Sequence, residues 1–389
     1  MSQTRKPRLL FYFLHLLGVG HVYRAKRLIE GFTREGIDVD IVYGGVQISE
    51  TFEAASIHYL PPIRASDATY QSYLDSKGQP LSDAYMELRQ QELLSHFATL
   101  KPDMILIEAF PFGRRMVRHE IGALLEAARK RPTPPLVVSS VRDILQERKK
   151  PGRTEETRDW IDDWFDHVLV HSDPNVIQLN ETFPFAEEIA DKTSYTGFVV
   201  PTLTGATNVQ QFDIIATAGG GGFGGSLMDT VLEVARTDPI PNAHWCLATG
   251  PHMPPETIAE LRSAALPNIT IVERLDNLAA HLANAKISIS QCGYNTAMDV
   301  LRAHQESDCR AVFVPYDTER QSEQSRRAAL LEKAGYAINL PQSKLTAEGL
   351  ANAVRHASKL PRTNHAIDFD GVANTAKLVR SWLDQRAAS

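Results

Sequence analysis

Scarcity narrows this sequence before any motif does. Its 389 residues hold only three cysteines, Cys246, Cys292 and Cys309. An odd count without metal-ligand spacing gives no disulfide framework and no zinc site, and reads as reduced thiols in a cytoplasmic protein. No apolar window approaches the length of a membrane-crossing helix. Heptads and short repeats are missing as well. A basic surplus is also lacking: 41 Lys and Arg stand against 47 Asp and Glu, a net charge of -6, so nothing points to nucleic acid. The apolar run 9–14, after Arg5, Lys6 and Arg8, could pass for a signal peptide, but His15 interrupts it and no small-x-small cleavage site follows before Arg24. A first buried strand fits better.

What is present is ordinary in amount and regular in order. With 43% hydrophobic and 23% charged residues the composition is that of a soluble globular protein, and the length exceeds one comfortable core. Apolar runs predict strands at 9–17, 39–43, 57–60, 104–108, 136–140 and 167–171, with helices at 22–35, 83–100 and 113–130 between them. The polar stretch 61–80 suits a long acceptor-side loop, and the charge run 146–158 a solvated loop. Residues 197–211, rich in Gly, Thr, Pro and Val, read as a linker. The alternation then restarts, with strands at 213–218, 244–247, 269–272, 287–290, 310–314 and 336–340. Two such halves predict an α/β protein of two facing Rossmann-like domains with a cleft between them.

Polar residues gather just past the strand ends, where α/β proteins hold ligands. Gly18-Val19-Gly20-His21 lies at the first strand-to-helix turn, with Tyr23 where a dinucleotide fingerprint would place its third glycine. His21 suits general base work, or simply a backbone bond at a helix start. Glu108, Arg142, Asp143 and His171 sit at or just beyond strand ends, and Arg114 could hold an acidic acceptor. In the second half, Gly219-Gly220-Gly221-Gly222-Phe223-Gly224-Gly225 separates a strand from a helix. Such glycine density suits close backbone approach to a ligand, or flexibility alone. Gln291-Cys292-Gly293-Tyr294-Asn295-Thr296 opens another helix, whose first N–H groups can meet an anion. Asn295 and Thr296 add short donors, and Asp299 one turn on can accept from sugar hydroxyls; the plainer reading is a cap and a solvated acid. Asp38-Val39-Asp40 and Asp368-Phe369-Asp370 lie away from strand carboxyl ends, so no metal site is expected.

These pieces fall in one order: Gly18-Val19-Gly20-His21-Val22, the glycine run, Arg274-Leu275-Asp276-Asn277-Leu278-Ala279, Gly293-Tyr294-Asn295-Thr296-Ala297-Met298-Asp299, then Val314-Pro315 with Glu323-Gln324 and Ala328. That series resembles the MurG-like glycosyltransferases of family 28, densely from 213 to 358. The resemblance implies a GT-B fold: an acceptor-binding domain at 1–200, a donor-binding domain at 211–365, and a segment 366–389 whose helix crosses back onto the first domain. It implies a UDP-sugar as donor substrate, with no cofactor. Arg274 and Leu275 would flank the uracil, Gly293, Asn295 and Thr296 would meet the pyrophosphate, and Asp299 the ribose. Glu323 and Gln324 would hold the transferred sugar, while Gly18, Gly20 and His21 would meet donor phosphates and reaction centre from the first domain.

Departures from the family pattern bear on substrate. Gln291-Cys292 replaces the usual pair before Gly293, Asp299 is one methylene shorter than the usual Glu, and Glu323 stands where Gln is common. The segment from Glu108 to Arg114 does not follow the peptidoglycan enzyme, so peptidoglycan synthesis is not expected. The sequence leaves the acceptor open, with a lipid-linked or a small molecule and peripheral membrane contact as options. An inverting transfer needs a base, His21 or Glu108, and stabilisation of the leaving diphosphate. A nucleotide-sugar 2-epimerase and a non-catalytic nucleotide-sugar binder are the rival expectations.

Overall fold

Two parallel sheets organise the chain. The computed structural model describes residues 5–388 apart from 17–19, 49–50, 54, 67–71, 147–149, 202–208, 220–223, 238, 252, 318–321 and 364–365. It divides into two compact units, residues 1–199 with 368–389, and residues 200–367.

The first unit runs β1 Arg8–Phe13, α1 Gly20–Arg34, β2 Asp38–Tyr43, β3 Ala55–Tyr59, a two-residue-per-strand hairpin of β4 Arg64–Ala65 and β5 Tyr73–Leu74, α2 Asp83–Leu100 and β6 Met104–Glu108. It continues with α3 Arg118–Arg129, β7 Leu136–Arg142, α4 Arg153–Trp164, β8 His167–His171 and β9 Thr193–Tyr195. Among the described residues the main sheet has the order β3-β2-β1-β6-β7-β8-β9, all parallel. Successive residues of β1 serve opposite helix layers. Leu9, Phe11 and Phe13 pack with Val22, Leu28 and Phe32 of α1, whereas Leu10 and Tyr12 pack with Leu93 of α2 and Ile121 and Leu124 of α3. Burial on both faces is why such strands read as unbroken apolar runs.

The second unit repeats the scheme with β10 Ile214–Thr217, α5 Gly225–Arg236, β11 Trp245–Ala248, α6 Pro255–Ala264, β12 Ile269–Val272 and α7 Leu278–Leu282. Then come β13 Ile287–Ser290, α8 Tyr294–Glu306, β14 Arg310–Phe313, α9 Glu323–Lys333, β15 Ala337–Asn339 and α10 Ala347–Ala357. Its parallel sheet has the order β12-β11-β10-β13-β14-β15. Ile214, Ala216, Trp245, Leu247, Ile287 and Ile289 form a core with α5 and α10. The last helix, α11 Gly371–Ala388, belongs to the first unit and packs on α1. The approach is close: a Cβ at Gly31 of α1 would come within 2.8 Å of Val372. Asp368 fastens the entering chain, its N–H donating to Asp173 Oδ2 at 2.9 Å and its carbonyl accepting from Phe198 N at 2.8 Å.

Three sequence expectations need correction. The charge run 146–158 is not all loop: from Arg153 it is α4, which buries Thr157 and Ile161 and leaves its charges outside. The helix expected over 113–130 begins late, because Arg114 adopts a left-handed φ of 57° and only a short 3-10 turn, Arg115–Val117, precedes α3. The stretch 61–80 carries the β4–β5 hairpin. The three cysteines are buried and form no disulfide among the described residues, with burial pushing Cys246 and Cys309 up to about 12. Among the described residues no helix is long and apolar enough to cross a membrane.

A wholly buried ion pair ties α2 to α3. Arg89 donates from Nε to Glu120 Oε2 at 2.9 Å and from Nη2 to Glu120 Oε1 at 2.8 Å, and Tyr12 Oη donates to Oε1 at 2.5 Å. Arg89 also reaches the carbonyls of Gly44 and Pro61, so one guanidinium holds the turns beyond β2 and β3. Arg89→Met should therefore lower stability by about 3–5 kcal/mol, because it strands a buried carboxylate, and Arg89→Met/Glu120→Met should recover much of that. Urea denaturation checks it; a single-variant loss of about 0–1 kcal/mol, typical of an exposed pair, would contradict the account.

Candidate active site

In a parallel sheet, neighbouring strands whose connections leave to opposite sides open a crevice at their carboxyl ends. The first unit has that arrangement between β1 and β6, and the second between β10 and β13. Of the described residues singled out from sequence, Gly20, His21 and Glu108 lie at the first place, and Gly293, Asn295 and Thr296 at the second.

In the first unit, Glu108 is the last residue of β6 and only 2% exposed. Gly20 opens α1, His21 follows it, and Arg24 lies one turn further on the same face. His21 Nδ1 is 2.5 Å from Glu108 Oε1, and Arg24 Nη2 donates to that same oxygen. Glu108 Oε2 is buried without a hydrogen-bond partner among the described residues. Just past Glu108, Ala109 holds a left-handed φ of 65°, a conformation costly for a residue with a side chain and common near functional sites.

The charges settle the proton positions. Burial alone would raise the Glu108 carboxyl, but His21, Arg24 and Arg114 outweigh it and hold it well below the usual carboxylate range. Burial lowers His21 to about 4; Glu108 opposes that shift, while Arg114 and Arg142 add to it. Near neutral pH the pair is thus a carboxylate and a neutral imidazole. A carboxylate only accepts, so the His21 proton sits on Nδ1 and donates to Glu108, leaving a lone pair on Nε2. About 18% of the His21 side chain stays accessible. This pair can take a proton from a hydroxyl and carry the resulting charge beside a carboxylate.

The other first-unit candidates divide. Arg114 and Arg142, the latter ending β7, are half-buried and near enough to act on His21 through their charge. Asp143 is fully buried and accepts the N–H of Ile144 at 2.8 Å. His171, expected on the acceptor side, is instead fully buried at the end of β8, 2.8 Å from Ser140 Oγ and 2.9 Å from Thr196 Oγ1. Burial pushes it down to about 3, so it stays neutral and joins β7 and β8 to the chain beyond β9. Gly18 lies outside the described residues, as do Gly220, Gly221 and Gly222.

In the second unit, Gly219, with φ 69°, and Gly224, at the start of α5, flank the glycine run. A Cβ at Gly224 would fall 2.1 Å from Ala218 Cβ, so only glycine fits there. A small cleft beside it is lined by Ala218, Gly219, Gly224, Gly225, Thr249 and Met253. Gly293 precedes α8 in extended conformation, and Asn295 and Thr296 occupy its first turn with Asp299 one turn on. Asn295 Oδ1 is buried without a partner among the described residues, and so are the hydroxyls of Thr217 and Ser290, opposite each other at the ends of β10 and β13. Native structures leave few buried polar atoms unbonded, and three at one crevice favour a polar ligand there.

Glu323 starts α9 and accepts from Arg327 Nη2 at 2.8 Å; Arg327, fully buried, also donates to Cys292 O at 2.8 Å. Gln324 Oε1 accepts the Tyr316 N–H at 3.2 Å. Arg274, beyond the edge strand β12, is exposed and Leu275 is half-buried. Sequence reasoning missed Arg24 and Arg327. Each stands on the apolar side of its helix, beside Ala25 and Leu28 or Ala328 and Leu331, and that placement was the available signal.

Comparison with known proteins bears on both units. Residues 217–368 match the glycosyltransferase family 28 C-terminal domain. A UDP-N-acetylglucosamine–N-acetylmuramyl-(pentapeptide) pyrophosphoryl-undecaprenol N-acetylglucosamine transferase of Thermotoga neapolitana is 23% identical over 185 residues, 47% of this chain and 50% of that protein. Its namesake from Cupriavidus metallidurans is 34% identical over 99 residues, 25% of this chain and 27% of that one. The chain thus spans at most about half the length of these curated relatives. Among solved structures, MurG of Acinetobacter baumannii superposes with TM-score 0.62 at 15% identity, covering 97% of this chain and 100% of that one. The calicheamicin glycosyltransferase CalG4 gives 0.62 at 15% identity over 99% and 98%, and a UDP-GlcNAc 2-epimerase of Methanocaldococcus jannaschii 0.60 at 12% over 96% and 99%. Residues 217–368 thus carry a glycosyltransferase family 28 C-terminal domain, and the whole chain takes the GT-B fold of two Rossmann-like units that it shares with MurG.

Proposed function

We propose that this protein is an inverting, metal-independent glycosyltransferase that moves a hexose or N-acetylhexosamine from a UDP-sugar to a hydroxyl acceptor. The observation that carries the reading is the buried His21–Glu108 pair at the β1–β6 crevice, in a chain whose second unit is a family 28 domain. UDP is favoured because the curated relatives are named for a UDP-sugar donor. The α8 start would take the pyrophosphate and Asp299 the ribose, with Glu323 and Gln324 at the sugar.

The reaction then runs with few parts. His21 Nε2 takes the acceptor's hydroxyl proton as the acceptor oxygen bonds to the anomeric carbon. The bond from that carbon to the UDP oxygen breaks, and UDP leaves as an anion stabilised by helix N-terminal N–H groups. Glu108 keeps the imidazole in its productive tautomer and offsets the imidazolium charge. Metal independence is supported by the engagement of one carboxylate in each Asp-x-Asp. Asp40 is buried against Arg8, 2.5 Å from Nε, and Asp368 Oδ1 accepts the Asp370 N–H at 2.8 Å.

The reading is tested first by thermal shift with UDP, UDP-GlcNAc, UDP-glucose, GDP and dTDP. A ligand at about 100 times its Kd stabilises by roughly 2.7 kcal/mol, and no response to any uridine nucleotide would overturn the proposal. Epimerised sugar after incubation with UDP-GlcNAc alone would replace transfer by 2-epimerisation. Asp299→Ala should weaken UDP binding by about 1–3 kcal/mol by titration calorimetry, and an unchanged Kd would remove Asp299 from the site. His21→Ala should lower acceptor-dependent UDP release by ~10²–10⁴-fold with UDP affinity nearly unchanged; loss of UDP affinity in step would make His21 a phosphate ligand instead. Turnover should survive EDTA, and a complete loss restored by Mg²⁺ would refute metal independence.

A further inference from the structure

Arg24 has no place in the chemistry above, yet it is as buried as the carboxylate it meets. It is 2% exposed, and its Nη2 donates to the Glu108 oxygen that His21 Nδ1 also contacts. One oxygen thus takes two donors, while its partner oxygen is buried without a bond among the described residues. A carboxylate so enclosed needs a full opposite charge, because a neutral imidazole alone cannot repay its lost hydration. Without that charge the pair would take up a proton near neutrality, as an imidazolium or as a carboxylic acid. Either form ends the arrangement in which Nδ1–H donates and Nε2 accepts.

We propose that Arg24 is a positioning residue for transfer, whose buried guanidinium holds Glu108 ionised and so fixes His21 as the neutral Nδ1–H tautomer. The inference rests on the reading of His21 as base. Around the pair stand Arg114 from the loop after β6, Arg142 from β7 and His171 from β8; the two arginines disfavour a proton on His21, and His171 is neutral. Arg24 differs from them in touching the carboxylate itself. Its position three residues after His21 means that one helix turn delivers both groups to Glu108.

The test uses the full chain labelled with ¹⁵N-histidine, with His21 assigned from the His21→Ala spectrum. In the unaltered protein His21 should show the Nδ1–H tautomer and remain neutral down to about 4. Arg24→Met should move its titration upward by roughly 1–3 pH units, the usual effect of losing an adjacent opposite charge on a carboxylate pair. The acid limb of UDP release should move up with it, while turnover on the alkaline side is largely retained. Arg24→Lys should restore both. Arg24→Gln keeps a donor but not the charge, and carries the test should the methionine variant fail to fold. A titration unmoved in the neutral variants, with turnover lowered equally at every pH, would overturn the proposal and leave Arg24 a packing residue. The titration needs no sugar transfer: a protein that ignores every UDP-sugar yet shows the shift would lose the function and keep the positioning role.

Discussion

A carboxylate sealed inside a protein must be paired, and the first unit is built around one. Glu108 ends a central strand, its neighbours β1 and β7 are buried on both faces, and its charge is met by two residues of a single helix. The sheet fixes where the carboxylate stands; α1, clamped by α11 through Gly31, fixes where imidazole and guanidinium arrive. Loosening either would leave a buried charge uncompensated, a penalty of several kcal/mol. The site and the fold are therefore stabilised by the same contacts.

The second unit meets a related constraint in a related way. Glu323, at the start of α9, is held by Arg327 from the next turn, and Arg327 also secures the Cys292 carbonyl beside the α8 start. In each unit a buried arginine on a helix fixes a glutamate close to the crevice where the sheet's strand order reverses. The difference lies in what else is near. The first crevice has an imidazole and guanidiniums, suited to moving a proton; the second has helix-start N–H groups and hydroxyls without a bond among the described residues, suited to holding an anion.

Much of this was legible because buried parallel strands leave little choice of residue. The strands at Met104–Glu108, His167–His171, Ile269–Val272 and Ile287–Ser290 coincide with apolar runs readable directly. α4 was not legible, since its two buried positions are lost among charges. His21 and Glu108 stood out as polar residues just past strand ends, and the structure places them in contact. His171 carries the same signal yet lies enclosed by the Ser140 and Thr196 hydroxyls, because position past a strand end does not say whether neighbouring hydroxyls will enclose the ring. Arg24 and Arg327 escaped because an arginine on a helix ordinarily lies in water. Recognising a buried one requires knowing which carboxylate it meets, which is a tertiary fact.

The arrangement around His21 also sets a limit on its chemistry. A histidine held near 4 is neutral near pH 7, so in the transfer proposed above its lone pair would be available, but a base that low accepts a proton weakly. Burial, Arg114 and Arg142 all act in that direction; Glu108 alone acts against it. Because Arg24 cancels much of the Glu108 charge, availability has been favoured over strength. That choice suits a reaction in which the bond to the leaving group breaks early and the acceptor oxygen becomes acidic as it bonds to a carbon bearing developing positive charge. Such a hydroxyl gives up its proton late, to a base that needs only to be neutral and correctly oriented.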